Sequence, residues 1–288
     1  MTALERLRAL AATDPALAPM AVLQVEALQA AADPAWELGI PGLDGACLSD
    51  GIPLLHEATI RVDGARAAAL LRRLAIAAAE HAGTLIDAAF DSETRSIELL
   101  ETSIVRDTDK LRMMAEEIGV ETGLLATLGS IGAVPLLLAC ARHAGPSFAS
   151  AEWEEIYCPV CAASPTLAEL RGLDRERWLR CGRCGSGWPY RGQVCAFCGC
   201  SEHQELGYLA AEGQRDSQRA ETCDCCGSYL KTMATLGPLQ PEEVLLRDIE
   251  SVELDIAALQ KGYGRPETQP FPLRVTLQPF VSPNGSRP

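Results

Sequence analysis

The sequence predicts an α+β protein: an all-helical N-terminal domain, a tandem four-cysteine metal module, and a C-terminal helix. Three observations carry that prediction. Leu and Ala recur at helical spacing through the first half of the chain. Four Cys-x-x-Cys pairs then fall between Cys158 and Cys226, and an apolar stripe returns between Pro241 and Gly262. The implied divisions are a helical domain at 1–150 and a cysteine module at 151–236. A helix at 237–263 packs on one of them, and a Pro-rich extended tail occupies 264–288.

Composition sets the outer limits. The chain has 288 residues, enough to bury a core and better suited to two modules than one. Hydrophobic residues make up 48% but aromatics only 5%, so the apolar mass is mainly helix-forming Ala and Leu. A net charge of −14 argues against a nucleic-acid partner, because a phosphate backbone is gripped by surplus Lys and Arg. The segment from Cys158 to Cys226 has eight Arg, no Lys and nine Asp or Glu, so a zinc-ribbon nucleic-acid binder is the least favoured reading. The N-terminus lacks the basic-then-apolar order of an export signal, and the apolar run Ile131 to Ala141 is too short to span a bilayer. The expectation is a cytoplasmic protein with no membrane insertion. In that compartment close cysteine pairs read as metal thiolates rather than disulfides.

The helical half is read element by element. Thr2 to Ala32 carries Leu4, Leu7, Leu10 and then Val22, Leu23, Val25, Leu28, interrupted at Asp14-Pro15 and Pro19. Asp33 to Leu55, rich in Gly, Pro and Asp, is expected as an ordered loop. Gly64 to His81 is a helix through Leu70, Leu71 and Leu74, ended by Gly83. Further helices are expected at Asp87 to Leu100, Thr108 to Glu117, Glu121 to Leu128 and Val134 to His143, punctuated by Gly119, Gly129 and Gly132. Pro146 to Ser150 reads as a linker. His56, His81, His143 and His203 receive no ligand role, and Cys47 and Cys140 read as ordinary helical-domain residues.

The cysteines carry the chemistry. Two thiolates three positions apart grip one face of a metal ion, and a second pair completes a tetrahedron. Sequential pairing puts Cys158, Cys161, Cys181 and Cys184 on one ion, and Cys195, Cys198, Cys223 and Cys226 on another. Gly185, Gly199 and Gly227 directly follow three of the pairs, at a position where positive φ turns backbone N–H groups towards sulfur. Ala162 stands there after the first pair. Spacing does not select the metal. Four thiolates suit zinc, which would be structural, and equally a mononuclear iron of rubredoxin type, which would permit electron transfer. Cys200 and Cys225 exceed the eight ligands; either can swap into the second set, and otherwise both are free thiols beside a metal. Trp188, Tyr190, Tyr208 and Tyr229 are expected mainly as packing around the ribbons.

The flanks of these pairs resemble a family. Ile156-Tyr-Cys-Pro-Val-Cys161, Leu179-Arg-Cys-Gly-Arg-Cys184, Trp188, Arg191 and Cys195-Ala-Phe-Cys198 are similar to FdhE, the formate dehydrogenase accessory proteins. So are Arg219-Ala-Glu-Thr-Cys-Asp-Cys-Cys-Gly-Ser-Tyr-Leu-Lys231, Leu254-Asp255 and Gly262-Tyr263. Ala162, Cys200 and Cys225 depart from the family's pattern. The resemblance implies a non-enzymatic cytoplasmic maturation factor that binds the formate dehydrogenase catalytic subunit. It also implies rubredoxin-like ribbons holding two metal ions, iron before zinc. The alternative it leaves is an iron-containing redox or oxygen-sensing protein serving the same enzyme.

Overall fold

Helix caps and strand alternation are written into the chain in order. In a computed structural model, which describes residues 1–43, 45–82, 90–148, 153–266 and 269–280, the elements begin with α1 (Ala3–Thr13), α2 (Ala18–Ala31), β1 (Ala58–Val62) and α3 (Gly64–Ala82). Next come α4 (Glu93–Val105), α5 (Thr108–Ile118), α6 (Thr122–Gly132) and α7 (Val134–Phe148). The cysteine region holds β2 (Leu167–Arg171), β3 (Glu176–Arg180), β4 (Gly187–Pro189), β5 (Leu206–Leu209), β6 (Gln218–Cys223) and β7 (Ser228–Thr235). The chain closes with α8 (Pro241–Glu250), α9 (Val252–Gln260) and β8 (Val275–Pro279).

The first compact unit comprises Met1–Asp44, Leu54–Ala149 and Leu273–Pro288. Side-chain caps fix its helix starts: Thr2 and Glu5 form a capping box on α1, and Ser92 and Asp107 cap α4 and α5. Leu70, Leu71 and Leu74 of α3, Leu99 and Leu100 of α4, and Leu125 and Leu128 of α6 are almost completely buried, and α3 and α4 both pack on α6. Gly129 lies inside α6 rather than ending it. A Cβ there would sit 2.1 Å from the Ser103 Oγ of α4, so only glycine permits this helix contact.

Several sequence expectations shift here. The helix expected from Asp87 begins at Glu93, and residues 83–89 lie outside the described residues. The helix expected to stop at His143 continues through Pro146, into the predicted linker. The apolar stretch is also longer than Ile131 to Ala141. Thr122–Gly145 has the length and hydropathy to cross a membrane, yet 72% of its apolar window is buried inside the fold, as befits core helices. Two strands join the helices: β1 pairs in parallel with β8, setting Ala58 against Val275 and Ile60 against Leu277. The Pro-rich segment thus returns to the helical unit as a strand with Val275 and Leu277 buried.

The second unit comprises Gly45–Pro53 and Ser150–Pro272. Its sheet has the order β4-β3-β2-β7-β6-β5. It is two antiparallel three-stranded ribbons, β2–β4 and β5–β7, fused by the parallel β2–β7 pair with Leu167 opposite Lys231. The helix expected over 237–263 is divided at Ser251, whose hydroxyl donates to the Arg247 carbonyl at 2.7 Å. Cys47 lies in a short 3-10 turn, Gly45–Asp50, that groups with the cysteine unit rather than the helical one. Cys140 is buried in α7.

Candidate metal centres

Each cysteine pair sits on a tight turn with a repeated hydrogen-bond pattern. The Cys158, Cys181 and Cys195 N–H groups donate to the carbonyls of Ala163, Ser186 and Cys200, five residues on. The N–H groups of Ala162, Gly185 and Gly199 donate back to those same three cysteines' carbonyls. Backbone N–H groups of Val160, Arg183 and Phe197 approach the first sulfur of each turn at 3.4 Å. Positive φ follows all four pairs: 60° at Ala162, 71° at Gly185, 72° at Gly199 and 65° at Gly227. Ala162 therefore adopts the conformation that glycine takes in the other three turns.

The eight sulfurs converge as two sets of four. Cys158, Cys161, Cys181 and Cys184 form one cluster, and Cys195, Cys198, Cys223 and Cys226 the other, with every sulfur within 4.8 Å of its cluster mates. In the first cluster Cys158–Cys184, Cys161–Cys181 and Cys161–Cys184 lie 3.4, 3.5 and 3.8 Å apart. In the second, Cys195–Cys226 and Cys198–Cys223 are both 3.7 Å. A tetrahedron with metal–sulfur bonds of about 2.3 Å has edges of about 3.8 Å, so both donor sets fit a thiolate-bound metal ion.

The environments differ. All four sulfur residues of the first cluster are buried, whereas Cys198 and Cys226 of the second are exposed. In the first, burial pushes the Cys158 and Cys184 thiols well up, while Cys181 is held well down by hydrogen bonds from the other three sulfurs despite its burial. A bound cation would favour the thiolate form of these buried sulfurs by offsetting part of their negative charge. In the second, burial raises Cys195 and Cys223, while hydrogen bonds from Ser228 and the neighbouring sulfurs outweigh burial and lower Cys226.

Cys200 and Cys225 correct a sequence expectation. The structure brings their sulfurs together, with Cα atoms 6.7 Å apart, within reach of a disulfide. Their sulfurs and that of Cys223 also lie within 4.8 Å of one another. A cavity of about 710 Å³ opens beside this cluster, lined by Cys195, Phe197, Tyr208, Arg215, Arg219 and Leu230 among others. Trp188, Tyr190 and Tyr229 pack inside as expected, and Tyr208 stays exposed under the Arg215 guanidinium at 4.5 Å.

Comparison with known proteins points to one family for part of the chain. Residues 195–271 match the family model described as "FdhE, C-terminal domain". That stretch of the chain is similar to the FdhE C-terminal domain. Curated relatives named Protein FdhE include one from Escherichia coli O127:H6, 32% identical over 131 residues covering 44% of this chain and 41% of the relative. Another, from Escherichia fergusonii, is 31% identical over the same shares. The match thus spans less than half the length of those relatives. A crystal structure of the FdhE protein from Pseudomonas aeruginosa superposes with a TM-score of 0.57 at 21% identity, covering 93% of this chain and 92% of that one. That similarity is one of fold.

Within the stretch that matches the FdhE C-terminal model, the Tyr229-Leu-Lys231 flank has a physical explanation. Tyr229 and Lys231 reach from β7 to Asp255 of α9, donating at 2.6 and 2.7 Å. Arg265 donates to the same carboxylate at 2.7 Å and to Asp248 at 2.7 Å. Burial raises the Asp255 carboxyl, but Arg265, Lys231 and Tyr229 outweigh it and hold the group below its ordinary range. Burial and then Asp255 push the Tyr229 phenol up to about 12. Outside this stretch, buried Glu169 of β2 plays a comparable role beside the first cluster. It pairs with Arg171 and Arg180, and Arg180 donates to the Gly185 carbonyl of the cluster turn at 2.7 Å. The Asp248–Arg265 and Glu169–Arg180 pairs carry no spacing signal, because their members lie 17 and 11 residues apart.

Proposed function

We propose that this chain is an accessory factor for the maturation of formate dehydrogenase, binding the catalytic subunit in the cytoplasm during assembly without itself oxidising formate. The match of residues 195–271 to the FdhE C-terminal domain model, a stretch that contains the whole second cluster, carries this reading. The eight clustered cysteines act as ligands rather than nucleophiles, and two metal ions organise the docking module. Iron is the favoured metal on the family resemblance, with zinc the alternative. When bound, the cation would offset part of the charge of each thiolate set, and iron would add a one-electron couple. The chain's own residues do the rest. The knuckle backbones orient the sulfurs, and Glu169 with Arg180 braces the first cluster. The Tyr229, Lys231 and Asp255 set fastens α9 to the second ribbon. A net charge of −14 favours a client surface bearing a basic patch.

Affinity purification of the tagged chain from its host tests the reading, with formate dehydrogenase catalytic subunit expected in the eluate. Absence of that subunit, together with normal formate dehydrogenase activity in a deletion strain, ends it.

The exposed Cys198 and Cys226 favour one further reading: an iron centre carrying electrons or sensing oxygen for the same enzyme. It requires a visible absorption band that bleaches reversibly on reduction. A colourless protein holding only zinc in its own host excludes it.

A further inference from the structure

The two clusters are built alike but protected differently. The first relies on burial of all four cysteines, whereas two cysteines of the second are exposed. Around that second cluster the chain adds two cysteines, one to each half of the ligand set. Cys200 stands two residues beyond Cys198, and Cys225 lies in the turn between Cys223 and Cys226. The corresponding positions around the first cluster are Ala163 and Arg183. A disulfide between Cys200 and Cys225, whose Cα atoms lie 6.7 Å apart, therefore joins the two turns that must hold together to grip one ion. Cys200 is half-buried and Cys225 exposed, so small thiols reach the bond from solvent.

We infer that Cys200 and Cys225 form a reversible redox lock on the second four-cysteine site, opened by a low-molecular-weight thiol and closed by a low-molecular-weight disulfide. Closed, the cross-link holds both turns in place when one metal–sulfur bond breaks, so the broken bond reforms. Open, it frees the turns and releases two thiols near the Cys223 sulfur, which then compete as ligands. Opening consumes two electrons. One thiolate attacks the Cys225 sulfur and expels the Cys200 thiolate, leaving a mixed disulfide at Cys225. A second thiolate attacks the small-molecule sulfur of that mixed disulfide, releasing Cys225 as thiolate and the small molecule as its own disulfide. Two protons end on the protein thiols, and no metal-ligating sulfur changes oxidation state. The inference rests on the second cluster holding a metal and is independent of the client.

The test is zinc release from the full chain loaded with two zinc ions, followed with a chromophoric chelator before and after reduction by a phosphine. Reduction is expected to speed loss of one of the two ions about tenfold or more, the equivalent of about 1.4 kcal/mol, and to leave the other unchanged. The variant Cys200→Ser/Cys225→Ser is expected to release that ion at a rate indifferent to reductant. Alkylation of the reduced, zinc-loaded wild-type chain, mapped by mass spectrometry, provides a readout that needs no variant. Label is expected at Cys200 and Cys225 and not at the eight cluster cysteines. Equal rates in both redox states overturn the lock, as does a redox response that persists in the double variant or label placed on Cys198 or Cys226 instead. A chain that binds one zinc only removes the second site and the lock together, and that outcome is distinct from the others.

Discussion

Lys231, fully buried in β7, donates to the Asp255 carboxylate of α9 at 2.7 Å. An ammonium with no water around it is tolerable only because Asp255 and Asp248 together neutralise and hydrogen-bond it. The carboxylate is in turn shared with Tyr229 and Arg265, so one residue of α9 gathers three donors. The contact is backed by Tyr229, Ala220, Leu254 and Ala258, which form a small apolar cluster between the ribbon and the helix.

Removing Asp255 leaves that buried cation underpaired. Asp255→Ala is expected to lower stability by about 3–5 kcal/mol, the range for breaking a buried pair from one side. Tyr229→Phe removes one hydrogen bond to a charged acceptor and costs about 1.5–3 kcal/mol. Urea denaturation of the metal-loaded chain, followed by tryptophan fluorescence, measures both. Equal losses for the two variants would show that the carboxylate matters only as Tyr229's partner.

The same carboxylate sets an acid limit. Burial raises both Asp255 and Glu169, but Arg265 and Lys231 at the first, and Arg171 and Arg180 at the second, prevail and lower both groups. A carboxyl that binds protons less readily folded than unfolded contributes stability above its unfolded value, about 4. That contribution is lost as pH falls through the depressed folded value. The urea midpoint is expected to fall steadily below about pH 4, and less steeply for Asp255→Asn than for the wild type. Parallel slopes for the two proteins refute the assignment.

The cluster turns rank their glycines. A Cβ on Gly185 would meet the Pro241 Cα at 2.6 Å, whereas among the described residues nothing lies within 4 Å of one on Gly199 or Gly227. Gly185→Ala is therefore expected to lose the first metal and destabilise by more than the roughly 1–2 kcal/mol of left-handed strain that Gly227→Ala incurs alone. Ala162 already bears that strain, so Ala162→Gly is expected to raise stability by up to about 1 kcal/mol, part of the relief being offset by glycine's chain entropy. Metal content and denaturation midpoints of the three variants check the order.

How much of this was written in the sequence depends on the range of the interaction. The pairing of the eight cysteines follows from local spacing, because each pair is a turn and each ribbon joins two turns. The helices of the first half follow from periodicity and from caps such as Ser92 and Asp107. Strand β8 escaped notice because its alternation, Val275 and Leu277 inward, is only five residues long and lies among prolines. Its partner β1 lies more than two hundred residues earlier in the chain. The meeting of Cys200 and Cys225 was equally hidden: they lie 25 residues apart, and only the folded second ribbon brings them together. Tyr229 and Lys231 stood out as a motif, but their meaning needed Asp255 to arrive from α9.

Metal removal should separate the two centres. A chelator must reach sulfur to take the ion, and Cys198 and Cys226 are exposed while every cysteine of the first cluster is buried. The second site is therefore expected to empty first, leaving a chain with one equivalent of metal. Its six-stranded sheet should persist, because β2 and β7 pair directly and Glu169 stays tied to Arg180. Loss of the first ion has a different consequence. Four buried sulfurs then lose the cation that offsets their charge, and the pair of turns that anchors β2–β4 loses its bond to a shared centre. Cys158→Ser is expected to abolish soluble folding of the cysteine unit, whereas Cys226→Ser should yield a folded protein with a single metal. Native mass spectrometry with circular dichroism reads both outcomes. Simultaneous loss of both ions at one chelator concentration would mean that exposure does not govern release.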